Sequence, residues 1–201
     1  MSIVKTLSLA AGLALAACGP LVQVGGNAPA PQSLLTVTAN AAAPTSVSGA
    51  PLLITTPSVP GKLKTLRIPV TTNANEVEYL GAATWLEQPN KLFHRVLIDT
   101  FESRTGRPAL DERDVNVVPA ARLSGDLLEF GLDVAAGSVV RVRYDAMLGS
   151  PDGGMLATRR FETTEPVSAE TGPAVAYALG QAANRIAADV ADWAGSARPA
   201  G

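Results

Sequence analysis

The chain of 201 residues contains a single cysteine, Cys18, and a single histidine, His94. A disulfide needs a second sulfur, and a metal site needs several Cys, His or carboxylate ligands close together, so no such site is expected here. No glycine-rich phosphate loop ending in Gly-Lys-Ser or Gly-Lys-Thr is present, which removes ATP hydrolysis from this chain. No serine or cysteine nucleophile stands in a recognisable turn with an acid and a base, so the chain reads as a non-enzyme needing no cofactor or metal. Basic residues do not outnumber acidic ones, 16 Lys and Arg against 18 Asp and Glu, and no basic stripe offers to neutralise phosphates; nucleic acid is not an expected partner. Nor is there an uninterrupted apolar run of the ~20 residues that cross a bilayer. The charge-free stretch 19–61 is broken by Pro20, Pro29, Pro31, Pro44, Pro51, Pro57 and Pro60, which exclude one continuous helix.

What is there begins at the amino terminus. Lys5 precedes the short apolar run "TLSLAAGLALAA", the pattern of a secretory signal peptide over residues 1–17. Its ending, "LAAC", resembles the bacterial lipobox, with Leu15, Ala16 and Ala17 before Cys18. That resemblance implies diacylglyceryl transfer to the Cys18 thiol, cleavage after Ala17 and acylation of the new amino terminus. Two or three acyl chains hold a protein stably where one holds marginally, since each buried CH₂ adds about 0.8 kcal/mol. The alternative is an ordinary secretory peptide with an incidental cysteine. Gly19 rather than Asp follows the cysteine, which by analogy with sorting in enteric bacteria implies the outer membrane of a Gram-negative cell, with the domain facing the periplasm.

Residues 18–33, "CGPLVQVGGNAPAPQS", read as the lipidated cysteine and a flexible tether, the folded domain as 34–194, and 195–201 as a disordered tail. Within the domain, "LLTVT", "LLITT", "LKTLRIPV", "EVEYLG" and "VNVVP" are short strand candidates between Pro-, Gly- and Asn-rich turns. Leu92, Phe93, Val96, Leu97 and Phe101 recur at helical spacing, predicting a helix from about Pro89 to Thr105 that stops at Gly106. In "LLEFGLDV" and "VVRVRYDAML", apolar Leu128, Phe130, Leu132, Val134 and Val140, Val142, Tyr144, Ala146 alternate with Glu129, Gly131, Asp133 and Arg141, Arg143, Asp145. Such alternation predicts half-buried antiparallel strands, joined through "SPDGG" to a third, "MLATRRFE". A long amphipathic helix follows, from Ala169 to Trp193, with Val175, Leu179, Ala182, Ile186, Val190 and Trp193 on one stripe.

The order of these pieces, "VEYLGAATWLEQPNKLFHRVLIDTFESRTG", then the "LLEFGLDV" meander, then an Ala-rich helix closing with "IAADVADW", resembles the auxiliary lipoprotein family of ABC-type lipid transporters. Tyr79, Trp85, Glu87 and Pro89 stand where that family has an aromatic-bearing strand, a Trp and a turn into a helix, with Gln88 inserted, and Trp193 also matches. The resemblance covers about Leu34 to Trp193; the long "ANAAAPTSVSGA" loop departs from it. It implies an α/β fold: a single mixed sheet with an antiparallel meander, packed against two main amphipathic helices. It also implies an outer-membrane component that tethers or docks a periplasmic mammalian-cell-entry (MCE) protein, with a separate permease and ATPase; self-association is left open.

Other readings stand beside these. Trp85 and Trp193 read as caps of the core, with a lipid or partner surface as the alternative. His94, on a helix between Lys91 and Arg95, reads as a surface or boundary residue, and "LDERD", Leu110 to Asp114, as a solvated turn. Arg141 and Arg143 are candidate partner-binding residues, although pairing with Glu129 and Asp133 accounts for them equally. Other function classes are an envelope-assembly lipoprotein and an independent periplasmic lipid carrier.

Overall fold

The computed structural model describes residues 33–114 and 116–196. Seven strands form one mixed sheet and two helices cover one of its faces. The strands are β1 (Leu52–Ile54), β2 (Pro69–Asn73), β3 (Glu76–Tyr79), β4 (Ala109–Leu110), β5 (Ala121–Asp133), β6 (Val139–Gly149) and β7 (Met155–Pro166). The helices are α1 (Pro89–Thr105) and α2 (Gly172–Ser196).

The long strand β5 organises the sheet. Along one side it pairs antiparallel with β6, which pairs antiparallel with β7, giving the expected meander. Its other side is shared: β1 runs parallel to Ala121–Leu123, and β2 runs parallel to Leu132 and Asp133. β3 closes a hairpin with β2, and β4 lies parallel to β1. β6 keeps strict alternation, with Val140, Val142, Tyr144, Ala146 and Leu148 all buried. β5 does not. A bulge between Leu127 and Glu129 shifts its register, so Leu123 and Leu127 face the helices before it and Phe130 and Leu132 after it. Leu128, expected inside, is the bulged residue and is only half-buried.

Two glycines permit close backbone approach. A methyl group on Gly131 would lie 2.5 Å from the Pro69 carbonyl oxygen, and one on Gly125 would lie 2.2 Å from that of Asp145. Gly131→Ala must therefore push β2 away from β5, and we expect a loss of about 1–3 kcal/mol as for other overpacked sites. A urea denaturation series reading the midpoint at constant slope measures it; an unchanged midpoint would show that β2 docks loosely.

α1 begins with Pro89, whose ring suits a first helical turn, and ends at Gly106, which takes the left-handed conformation at φ 66°. Its apolar stripe is buried as the periodicity predicts, including Leu92, Phe93, Val96, Leu97 and Phe101. α2 starts three residues later than expected and continues through Ser196; its buried alanines, among them Ala182, Ala183, Ala187 and Ala191, let it pack closely on α1 and the sheet. The helices run parallel. Near their carboxyl ends Arg104 holds Asp192 through two hydrogen bonds of 2.9 and 2.6 Å.

Several expectations are corrected. "LLTVT" forms no strand: only Leu35 makes a bridge, to Trp85, and the segment then crosses α2, where Asn184 donates to the Thr38 carbonyl. "LKTLRIPV" opens with a 3-10 turn at Gly61–Leu63, and its strand starts only at Pro69. For "VNVVP", Val115 lies outside the described residues and 116–119 form no strand; the chain turns there and comes back only at Ala120, whose N–H donates to the Pro51 carbonyl where β5 starts beside β1. His94 is buried rather than at the surface, because α1 turns it toward β1, where Nε2 lies 2.8 Å from the Ile54 carbonyl oxygen and donates to it. Trp193 is only half-buried, stacked edge-on against Phe161 at 5.7 Å. Trp85, by contrast, is fully buried against Phe130.

Candidate functional site

The helices leave the other face of β5, β6 and β7 uncovered. Alternation fixes what that face carries, since residues between the buried ones must point the opposite way. Across it, Glu129, Arg143 and Glu162 stand abreast on three neighbouring strands, as do Asp126, Asp145 and Arg160. Arg143 donates to Glu162 at 3.0 and 2.9 Å. Arg141 donates to Glu162 at 2.8 Å and to Asp133 at 3.0 Å, joining the carboxylates of β5 and β7. Arg160 grips Asp145 with two bonds of 2.7 and 2.6 Å. Lys62, from the 3-10 turn, extends the row by reaching Glu129 at 2.6 Å.

The result is a half-exposed ladder of charges, most of them paired across the strands. Hydrogen bonds from Arg143 and then Arg141 hold the Glu162 carboxyl below the usual carboxylate range, and the Arg160 bond does the same for Asp145. The Arg141 guanidinium is held charged mainly by Glu162 and also by Asp133. This fixes the donors and acceptors of Arg141, Arg143, Arg160, Glu162 and Asp145 in place, while Asp126 takes the Ser58 hydroxyl. Each exposed pair contributes roughly 0–1 kcal/mol to stability, so orientation rather than stability is what the ladder supplies.

Of the residues expected to bind a partner, Arg141 and Arg143 are thus brought together on one uncovered face. The expected pair Arg141–Asp133 forms; Arg143 pairs with Glu162 instead of Glu129, which Lys62 occupies. Arg160 and Glu162 were legible in principle, two residues apart on the strand, whereas no local pattern points from Lys62 to Glu129. Leu15, Ala16, Ala17 and Cys18 lie outside the described residues. The "LDERD" acids form a turn in which Arg113 pairs with Asp111 at 3.0 Å.

A cavity of about 100 Å³ beside the ladder is lined by Pro69, Thr71, Glu129, Gly131, Arg141 and Arg143. It has room for a few waters and is well below the roughly 300–1,000 Å³ of small-molecule sites. Two larger clefts, about 460 and 480 Å³, differ in lining: Lys91, Arg95 and Asp111 make the first strongly charged, while the second sets Ala146 and Met147 beside Asp126, Asp145 and Arg160. The first lacks the apolar lining that an acyl chain would require, and the second is a shallow open groove rather than an enclosed pocket. Among the described residues, no group of three or more His, Cys, Asp or Glu is placed to hold a metal, and no helix is long and apolar enough to cross a membrane.

Sheet and helices together define a two-layer α/β domain with one layer left open and charged. The chain belongs to the family described as the ABC-type transport auxiliary lipoprotein component, whose model matches residues 33–191. Its fold is shared with a solved protein from Xanthomonas campestris, at TM-score 0.71 and 20% identity over 80% of this chain and 93% of that one. A second similar structure, titled an uncharacterized protein, gives TM-score 0.63 and 13% identity over 79% and 98% of the two chains. No curated protein matches the sequence.

Proposed function

We propose that this protein is a non-enzymatic lipoprotein of the outer membrane that docks a periplasmic MCE-domain protein of a lipid-transport system, while a separate permease and ATPase supply the energy. Family membership supports the transport role, and the "LAAC" motif supports anchoring through Cys18. The observation that carries docking is the uncovered sheet face, where Arg141 and Arg143 are held in fixed positions by Glu162 and Asp133. Arginines preorganised in this way lose little side-chain freedom on binding and are common anchors of interfaces. Against an independent carrier stands the charged lining of the cleft beside α1, with Lys91, Arg95, Asp111 and Arg113.

Affinity purification of the full chain from native membranes tests this reading. MCE, permease and ATPase subunits are expected to co-purify, and the double variant Arg141→Ala, Arg143→Ala is expected to weaken capture by roughly 30-fold, the equivalent of a 2 kcal/mol anchor. Its thermal stability should fall little, because the pairs it breaks are exposed. Undiminished capture would move the docking surface elsewhere. Recovery of one bound lipid per chain, exchanged between vesicles without any transporter, would favour the carrier.

A further inference from the structure

One end of the domain carries a different surface. The backbones of three short segments lie side by side there: the Leu35 N–H donates to the Thr84 carbonyl at 2.8 Å, that of Leu86 to Leu35 at 2.8 Å, and that of Trp85 to Leu66 at 2.7 Å. Leu35 and Trp85 turn into the core, while Leu34, Leu66 and Leu86 remain 49%, 41% and 52% exposed. Lys64 and Arg67, both exposed, flank Leu66. Among the described residues neither makes an ion pair, and the Arg67 guanidinium lies over the Tyr79 ring at 4.5 Å.

Both helices start at this end. α1 begins three residues after Leu86, and a methyl group built on Gly172, the first residue of α2, would lie 3.0 Å from Ala83 and 3.4 Å from Leu35. Neither helix has an acid in its first turn, so the positive ends of two parallel helix dipoles join Lys64 and Arg67 on the same side. Glu87 before α1 is taken up by Arg95 and Glu170 before α2 by Ser138, so Lys64 and Arg67 are the cations left beside these apolar side chains, a combination that matches the boundary between acyl chains and phosphate headgroups.

The route of the chain identifies the occupant. The described chain enters at Ser33 and Leu34, within this surface, and about 15 residues separate it from Cys18, a reach of at most roughly 50 Å. An anchor at Cys18 therefore attaches to the domain through the apolar end itself. Tethering makes the second contact intramolecular, so a surface too small to hold a membrane alone suffices to orient an anchored domain.

We propose that Leu34, Leu66 and Leu86 rest in the headgroup layer of the membrane that holds Cys18, with Lys64 and Arg67 on lipid phosphates, so that the strands stand away from the bilayer. This rests on the lipid-anchor reading above. The 11-residue strand β6 runs roughly 35 Å from Val139, whose neighbour Ser138 bonds Glu170 just ahead of α2, to the hairpin that carries Met155. Met155, 70% exposed, is a remote reference point.

Because the chain has one cysteine, which the anchor consumes, single variants Leu86→Cys, Leu66→Cys and Met155→Cys can each carry one fluorophore. The full-length lipidated protein is placed in phosphatidylethanolamine–phosphatidylglycerol vesicles containing a lipid with a nitroxide near its headgroup. Flotation is measured first. Quenching at positions 86 and 66 is expected to be at least about twofold that at 155, and Lys64→Glu with Arg67→Glu should abolish the difference. Equal quenching at all three positions in floating protein would overturn this orientation while leaving the anchor intact. So would labels at 86 and 66 that nitroxide lipid reaches only after MCE partner is stripped away, since the patch would then be a protein interface. Protein that fails to float removes the anchor reading, and the orientation with it.

Discussion

Trp85→Ala is expected to lower stability by about 3–5 kcal/mol, the cost of emptying a large buried aromatic site. The indole is fully buried and packs on Phe130 with ring centroids 5.8 Å apart, at the point where the segment before α1 crosses the sheet. Its N–H finds no acceptor among the described residues, so the site is held by packing alone. Trp85→Phe should accordingly cost much less, within about 1.5 kcal/mol, because it removes an unpaired buried donor along with some volume. Trp193→Ala should fall between these. Trp193 caps Phe161 from a half-exposed position rather than closing the core, and a loss of about 1–2 kcal/mol suits a partly buried ring. Chemical denaturation of the three variants checks the order; equal losses at Trp85 and Trp193 would mean that both rings are similarly buried.

The second large effect concerns location. Cys18→Ser removes the only thiol in the chain, and with it the attachment point for a diacylglyceryl group. On the lipoprotein reading, membrane association should fall from nearly complete to background, with an uncleaved precursor or released periplasmic protein in its place. A single 16-carbon chain at about 0.8 kcal/mol per CH₂ already outweighs anything three surface leucines can contribute, and the anchor carries more than one chain. Membrane fractionation together with mass spectrometry of the native amino terminus measures it. A mature protein recovered with an unmodified Cys18 thiol would exclude the anchor.

Much of the fold is legible along the chain because its cues are short-range. The limits of α1 follow from a 3.6-residue stripe between Pro89 and Gly106, and β6 alternates inside and outside without interruption from Val140 to Leu148. Those patterns also place Arg141 and Arg143 on the face away from the helices, before any partner strand is known. Other features depend on segments distant in sequence. The bulge at Leu128 inverts which leucine of "LLEF" is buried, and nothing in those four letters announces it, since the register is set by pairing with Tyr144 and Arg143. His94 is drawn inward by a carbonyl 40 positions away, and Glu129 is taken by Lys62 instead of the arginine facing it.

By itself, then, the sequence determined the periods: one helix and its stops, a meander with a charged face and an Ala-rich helix, behind an "LAAC" stretch that resembles a lipobox. Only the tertiary structure decided that residues 116–119 of "VNVVP" turn at the surface, with Val118 exposed, and which of two tryptophans fills the core. It also decided that the chain enters beside three exposed leucines and two helix starts. The physical reason is that period is a property of neighbours, repeated every two or three to four residues. Burial and the meeting of ends are set by packing among remote segments competing for one core.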